Sequence, residues 1–138
     1  MNRMSMYIVN ILFAMVFIGC NSQNCISNVD FERPNDDSTA MDLITVTLNT
    51  DINLVQKELD EIKKIKIFIN EKDSIVNTGF FTVDSIDKNR IDVRLRTLLF
   101  MKDNNFSQEK FKDFFVKNEN FKVVLAFENK EIEFKKCD

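Results

Sequence analysis

The chain has 138 residues, 22 acidic against 19 basic side chains, a single Tyr, and neither His nor Trp. That length suits one domain around one core, and a net charge of −3 leaves no basic footprint for DNA or RNA. The lack of His removes Ser-His and Cys-His nucleophiles and His-ligated zinc, and the lack of Trp removes the usual sugar-stacking platform, so a non-catalytic protein with no cofactor and no metal is expected.

Met6 to Ile18 is an apolar run of 13 residues broken only by Asn10 and preceded by Arg3. As a helix it spans about 20 Å at ~1.5 Å per residue, short of the roughly 30 Å hydrocarbon core. A cleaved leader is therefore expected, not a permanent span. The run ends in Phe17-Ile18-Gly19-Cys20, which resembles the lipobox of bacterial lipoproteins, in the relaxed form of Bacteroidota-like members with Phe where Leu is usual. The resemblance implies that residues 1–19 are removed and that Cys20 becomes the first residue, carrying a diacylglycerol thioether and an amide-linked acyl chain such as palmitate. More than one acyl chain gives stable anchoring, so the membrane is an expected partner through lipid. Asn21 stands where many inner-membrane lipoproteins have Asp, and no acidic run follows Cys20 directly. By the same resemblance, the outer membrane is expected, with the protein facing the periplasm.

With Cys20 assigned to lipid, Cys25 and Cys137 remain as an even pair in an oxidising compartment. A disulfide between them is expected, free or mixed thiols being the alternative. Residues 20–42 are polar, contain the one Pro, Pro34, and carry Asp36-Asp37, so they read as a lipidated N-terminus and tether ahead of a globular domain at 43–138. Ile26, Val29 and Phe31 alternate loosely within that tether. Its acids lack the Gly-containing spacing of a calcium loop and read as a solvated linker.

Leu43 to Asn49 alternates through Ile44, Val46 and Leu48 and predicts a half-buried strand. Ile52, Val55, Leu59 and Ile62 then recur at helical spacing, with Thr50 or Asp51 as the cap. A second strand follows at Lys64 to Asn70, a third at Ser74 to Ser85 with Gly79 as a bulge point, and a fourth at Arg90 to Phe100. Ser107 caps a second helix with Phe111, Phe114 and Phe115 on its apolar face, Phe106 and Phe111 forming a hydrophobic staple, and Asn118 or Asn120 at its end. Phe121 to Phe127 and Glu131 to Lys136 form a closing hairpin around Asn129-Lys130. The pattern predicts an α+β domain, a mainly antiparallel sheet of about six strands with two helices, the alternative being an immunoglobulin-like β-sandwich.

Two features stand out as a binding surface. Arg90, Arg94 and Arg96 share the polar face of one strand, and arginine pairs bidentately with carboxylate or phosphate; against this stands a solvated face neutralised by Asp84, Asp87 and Asp92. Phe80 and Phe81 are consecutive and face opposite sides of a strand, which leaves Phe80 a candidate exposed contact. Asp73-Ser74-Ile75 and Asp84-Ser85-Ile86 are similar to the short O-glycosylation sequence of exported Bacteroidota proteins. The functional expectation is a lipid-anchored envelope protein binding another, unidentified protein as an accessory subunit of an envelope assembly. The alternatives are an immunity-type inhibitor of a periplasm-targeted toxin and a carrier of a small apolar ligand in a Phe-lined cavity.

Overall fold

The structure, a computed structural model, describes residues 24–34, 41–70, 74–98 and 106–138. The first 23 residues, and with them the leader and Cys20, lie outside the described residues, as do Asp36-Asp37. The elements in chain order are β1 (Cys25–Glu32), β2 (Asp42–Asn49), α1 (Gln56–Leu59), β3 (Lys64–Phe68), β4 (Ser74–Asn77), β5 (Phe81–Asp87), β6 (Arg90–Thr97), α2 (Gln108–Lys117), β7 (Lys122–Ala126) and β8 (Glu131–Lys136). Among the described residues the fold is α+β, with a mostly antiparallel sheet and two helices, and the sheet has eight strands, not about six.

The two extra strands have identifiable origins. Cys25–Glu32, part of what reads as tether, is a full strand paired along β2, with Ile26, Val29 and Phe31 buried. Its register shifts between Ile26 and Asn28, so Ser27 and Asn28 are both exposed and the period of two is interrupted. The expected third strand is two strands, β4 and β5, separated by a corner at residues 78–80. Gly79 sits in that corner, not in a bulge; its N–H donates to Asn77 Oδ1 over 3.0 Å.

Strand order is β4-β3-β7-β8-β1-β2-β6-β5. The edges of the sheet, β4 and β5, are thus consecutive in the chain. Laid flat, eight strands at ~4.8 Å spacing would put the edges about 34 Å apart, whereas the link from Asn77 to Phe81 spans at most ~14 Å. The sheet must therefore curl. It does so as two four-stranded halves, β4-β3-β7-β8 and β1-β2-β6-β5, joined through only two parallel residue pairs, Cys25 with Lys135 and Ile26 with Lys136. Inward side chains of both halves, among them Ile65, Ile67, Val123, Leu125 and Phe134 from one and Ile44, Val46, Leu48, Val93 and Leu95 from the other, make one core.

The seam is stapled covalently. Cys25 in β1 is bonded to Cys137, just past β8, with Cα atoms 4.9 Å apart, and the Cys137 N–H donates to Ile26 O over 3.1 Å. Beyond the seam β1 packs against α2, and phenylalanines fill the space. Phe31 meets Phe106 edge-on at 4.9 Å and Phe111 at 5.8 Å, and Phe121 meets Phe111 at 6.2 Å and Phe115 at 5.2 Å. Each such pair adds about 0.5–1.5 kcal/mol beyond its burial. The start and stop of α2 follow from local chemistry: Ser107 Oγ accepts from Lys110 N, Phe106 and Phe111 pack across the cap at 6.4 Å, and Asn118 ends the helix.

The first helix is a correction. Residues 56–59 form one turn, and Ile52 and Val55, expected on its buried face, are exposed. Leu59 and Ile62 are buried as expected, and Leu54 takes the place of the other two. Thr50 caps no helix; its hydroxyl donates to Asn24 Oδ1 and accepts from Ile52 N, closing the turn after β2. The turn of helix serves the sheet edge through Gln56. Its side-chain amide donates to Val83 O (2.8 Å) and accepts from Ser85 N (3.0 Å), standing in for a neighbouring strand on the outer edge of β5. Unpaired edges template association. Gln56→Ala is therefore expected to show concentration-dependent self-association in sedimentation velocity, and a variant as monodisperse as the parent would contradict this role.

Candidate binding surface

The outer face of the half-sheet β1-β2-β6-β5 gathers the residues singled out in the sequence. Alternation along β6 puts Ile91, Val93 and Leu95 inward and Arg90, Arg94 and Arg96 outward. Cross-strand register sets their neighbours. Arg94 lies between Thr45 and Thr82, and Arg96 faces Leu43 on β2. On the other side of Arg96 stands Phe80, whose carbonyl accepts the Arg96 N–H over 2.9 Å. Phe81, one residue on, packs against the core, while Phe80 is 64% exposed.

The three arginines are not equivalent. Arg94 Nη1 lies 3.0 Å from Asp84 Oδ2, with its Nη2 3.8 Å from Asp92 Oδ2, and Arg90 Nε lies 3.9 Å from Asp87 Oδ2. Arg33, near the end of β1, makes a two-point contact with the buried Asp42 at 2.9 and 3.0 Å. No carboxylate among the described residues lies within ion-pairing distance of the Arg96 guanidinium. The solvated-face reading thus describes Arg90 and Arg94, whose exposed pairs are worth about 0–1 kcal/mol, and leaves Arg96 apart.

Asn77 holds this corner and was missed in the sequence, although Asn two residues before Gly is a turn signal. It is 7% exposed at the end of β4, and its side chain uses every hydrogen-bonding position. Nδ2 donates to Phe80 O (3.0 Å) and Arg96 O (2.9 Å), while Oδ1 accepts from Gly79 N (3.0 Å) and Phe80 N (2.7 Å). One amide thereby clasps the two edges of the sheet and fixes the backbone carrying Phe80 and Arg96. Leu98, just past β6, is 54% exposed.

Elsewhere charge is paired across strands. Lys66 Nζ reaches over β7 to Glu131 Oε1 at 2.7 Å. The hydrogen bond from Lys66 and then its charge, with a lesser contribution from Lys64, hold the Glu131 carboxyl below its ordinary value, against an opposing effect of burial that exceeds the Lys64 contribution. Such a pair favours the fold above the unfolded carboxylate pKa and loses that contribution as pH falls through the lowered folded value. Lys66→Met is expected to return the Glu131 titration, followed by carboxyl NMR shifts, toward the ordinary carboxylate range; an unmoved titration would contradict the assignment.

Surface hollows among the described residues include one beside Phe68, Phe121, Lys122 and Lys135, one beside Thr50 and Arg90, and one beside Glu58 and Phe127, and charged or amide groups rim each. Among the described residues no three His, Cys, Asp or Glu side chains converge as a metal site, and no helix is long and apolar enough to cross a membrane. No family model, curated protein or solved structure matches the chain.

Proposed function

We propose that the chain is a lipid-anchored protein of the bacterial cell envelope, acylated at Cys20 and held at the outer membrane facing the periplasm. It binds another protein as a non-catalytic accessory subunit of an envelope assembly. The observation that supports this reading is the Cys25–Cys137 bridge. Such bridges persist in oxidising compartments, in keeping with a leader and lipobox that resemble those of exported lipoproteins. The bridge also sets the geometry. Only residues 20–24 precede the sheet, so the anchored residue lies at most ~17 Å from Cys25, and the domain rides close to the bilayer.

The test is affinity capture of the full-length tagged protein from crosslinked, detergent-solubilised membranes, with Cys20→Ala as control. One stoichiometric partner, lost in Cys20→Ala, is expected. A secreted toxin retained by Cys20→Ala would replace the accessory-subunit reading with an immunity function. Recovery of the protein alone would overturn protein binding and direct the search to a small apolar ligand.

A further inference from the structure

The geometry points to the row Leu43–Arg96–Phe80, continued by Leu98, as the docking surface for a protein segment that presents a carboxylate beside apolar side chains. This rests on the protein-binding reading above and names its surface and partner chemistry.

Charge is the first argument. Of the four arginines on this half-sheet, Arg33, Arg90 and Arg94 are neutralised by the chain's own aspartates, while Arg96 has no such partner among the described residues. Guanidinium is shaped for bidentate carboxylate recognition. Its flanks are apolar: half-buried Leu43 on one side, Phe80 on the other and Leu98 beyond. A carboxylate bound there is shielded from water by apolar neighbours, the arrangement in which arginine and aromatic side chains dominate binding energy.

Rigidity is the second. The Asn77 amide fixes the backbone of Gly79, Phe80 and Arg96 through four hydrogen bonds, so the row is presented with little ordering left to do on binding. Position is the third. Arg96 pairs with Leu43, which pairs with Glu32, seven residues along β1 from Cys25. With one of those seven taken up by the register shift, Leu43 is six positions along β2 from Asn49, the partner of Cys25, so at ~3.3 Å per residue the row lies about 20 Å along the sheet from the stapled seam. That is the end of the half-sheet away from the anchor, which favours a protein in the aqueous space over lipid headgroups.

The full-length lipidated protein in detergent micelles is panned against displayed random short peptides, and the enriched peptides are titrated against the parent, Arg96→Gln, Phe80→Ala and Arg94→Gln. Both Arg96 and Phe80 are exposed side chains outside the core, and an intact disulfide with unchanged circular dichroism confirms each fold. Enriched peptides are expected to carry Asp or Glu next to Leu, Ile or Phe; Arg96→Gln and Phe80→Ala each weaken them by about tenfold or more, and Arg94→Gln leaves them within about twofold. Enrichment without carboxylates, or affinities untouched by both variants, would overturn the proposal. So would binding to phosphatidylglycerol vesicles that Arg96→Gln abolishes while the peptides show no such dependence. A membrane partner captured equally by the parent and by Arg96→Gln/Phe80→Ala would leave the protein-binding reading standing and remove this surface from it.

Discussion

Replacing Cys25 and Cys137 together with Ala is expected to cost the domain about 3–5 kcal/mol. The bridge joins residues 112 apart in sequence, for which the chain-entropy account suggests ~4.7 kcal/mol, with measured values often lower. Topology argues for the upper part of the range. The two halves of the sheet share only two residue pairs, and the bridge closes that seam. Its loss leaves the seam to those pairs and the bond from Cys137 N to Ile26 O. Urea unfolding of the parent and the Cys25→Ala/Cys137→Ala variant, followed by circular dichroism, measures the difference. Coincident midpoints with equal slopes would show that the seam needs no staple.

Asn77→Ala is expected to destabilise by about 2–4 kcal/mol, because four hydrogen bonds disappear at a nearly buried corner and the backbone groups they served are left without partners. Asn77→Asp separates donation from acceptance. A carboxylate still accepts from Gly79 N and Phe80 N, but it faces the carbonyls of Phe80 and Arg96 with no proton to donate. Asn77→Asp is therefore expected to be at least as unstable as Asn77→Ala near neutral pH and to recover relative to it on acidification, when the protonated acid supplies one donor. Equal stability of Asn77→Asp and the parent at neutral pH would mean that the clasp to β6 contributes nothing.

Much of this fold is legible in the residues, and the failures are physical. β2, β3 and β6 alternate without interruption, and α2 announces itself through Ser107, the Phe106–Phe111 staple and Asn118. β1 hides because its register shift places Ser27 and Asn28 both outward amid a polar stretch. The corner between β4 and β5 hides because the residues around it keep strand-like composition; only the Asn77 to Gly79 spacing marks the break. The helical spacing of Ile52, Val55, Leu59 and Ile62 is a coincidence of composition, since the first two face solvent and the helix is one turn long. The parallel contact of β1 with β8 involves two residue pairs from opposite ends of the chain, a pairing that no local pattern encodes.

The candidate surface was half legible. Parity along β6 places Arg90, Arg94 and Arg96 on one face, and the adjacency of Phe80 and Phe81 requires one of them to point outward. Which arginine lacks an ion-pair partner among the described residues depends on cross-strand register: Asp84, two positions along β5 from Thr82, which faces Arg94, falls beside Arg94 and not Arg96. The Asn77 clasp depends on the curl of the whole sheet.

The proposed function requires export, acylation at Cys20 and a closed Cys25–Cys137 bridge. Intact mass of the protein extracted from membranes, before and after reduction with thiol alkylation, tests all of this at once. The account expects a chain beginning at Cys20, heavier by its acyl groups, with Cys25 and Cys137 alkylated only after reduction. An unacylated chain, one that keeps residues 1–19, or one whose Cys25 and Cys137 react without reduction would contradict it.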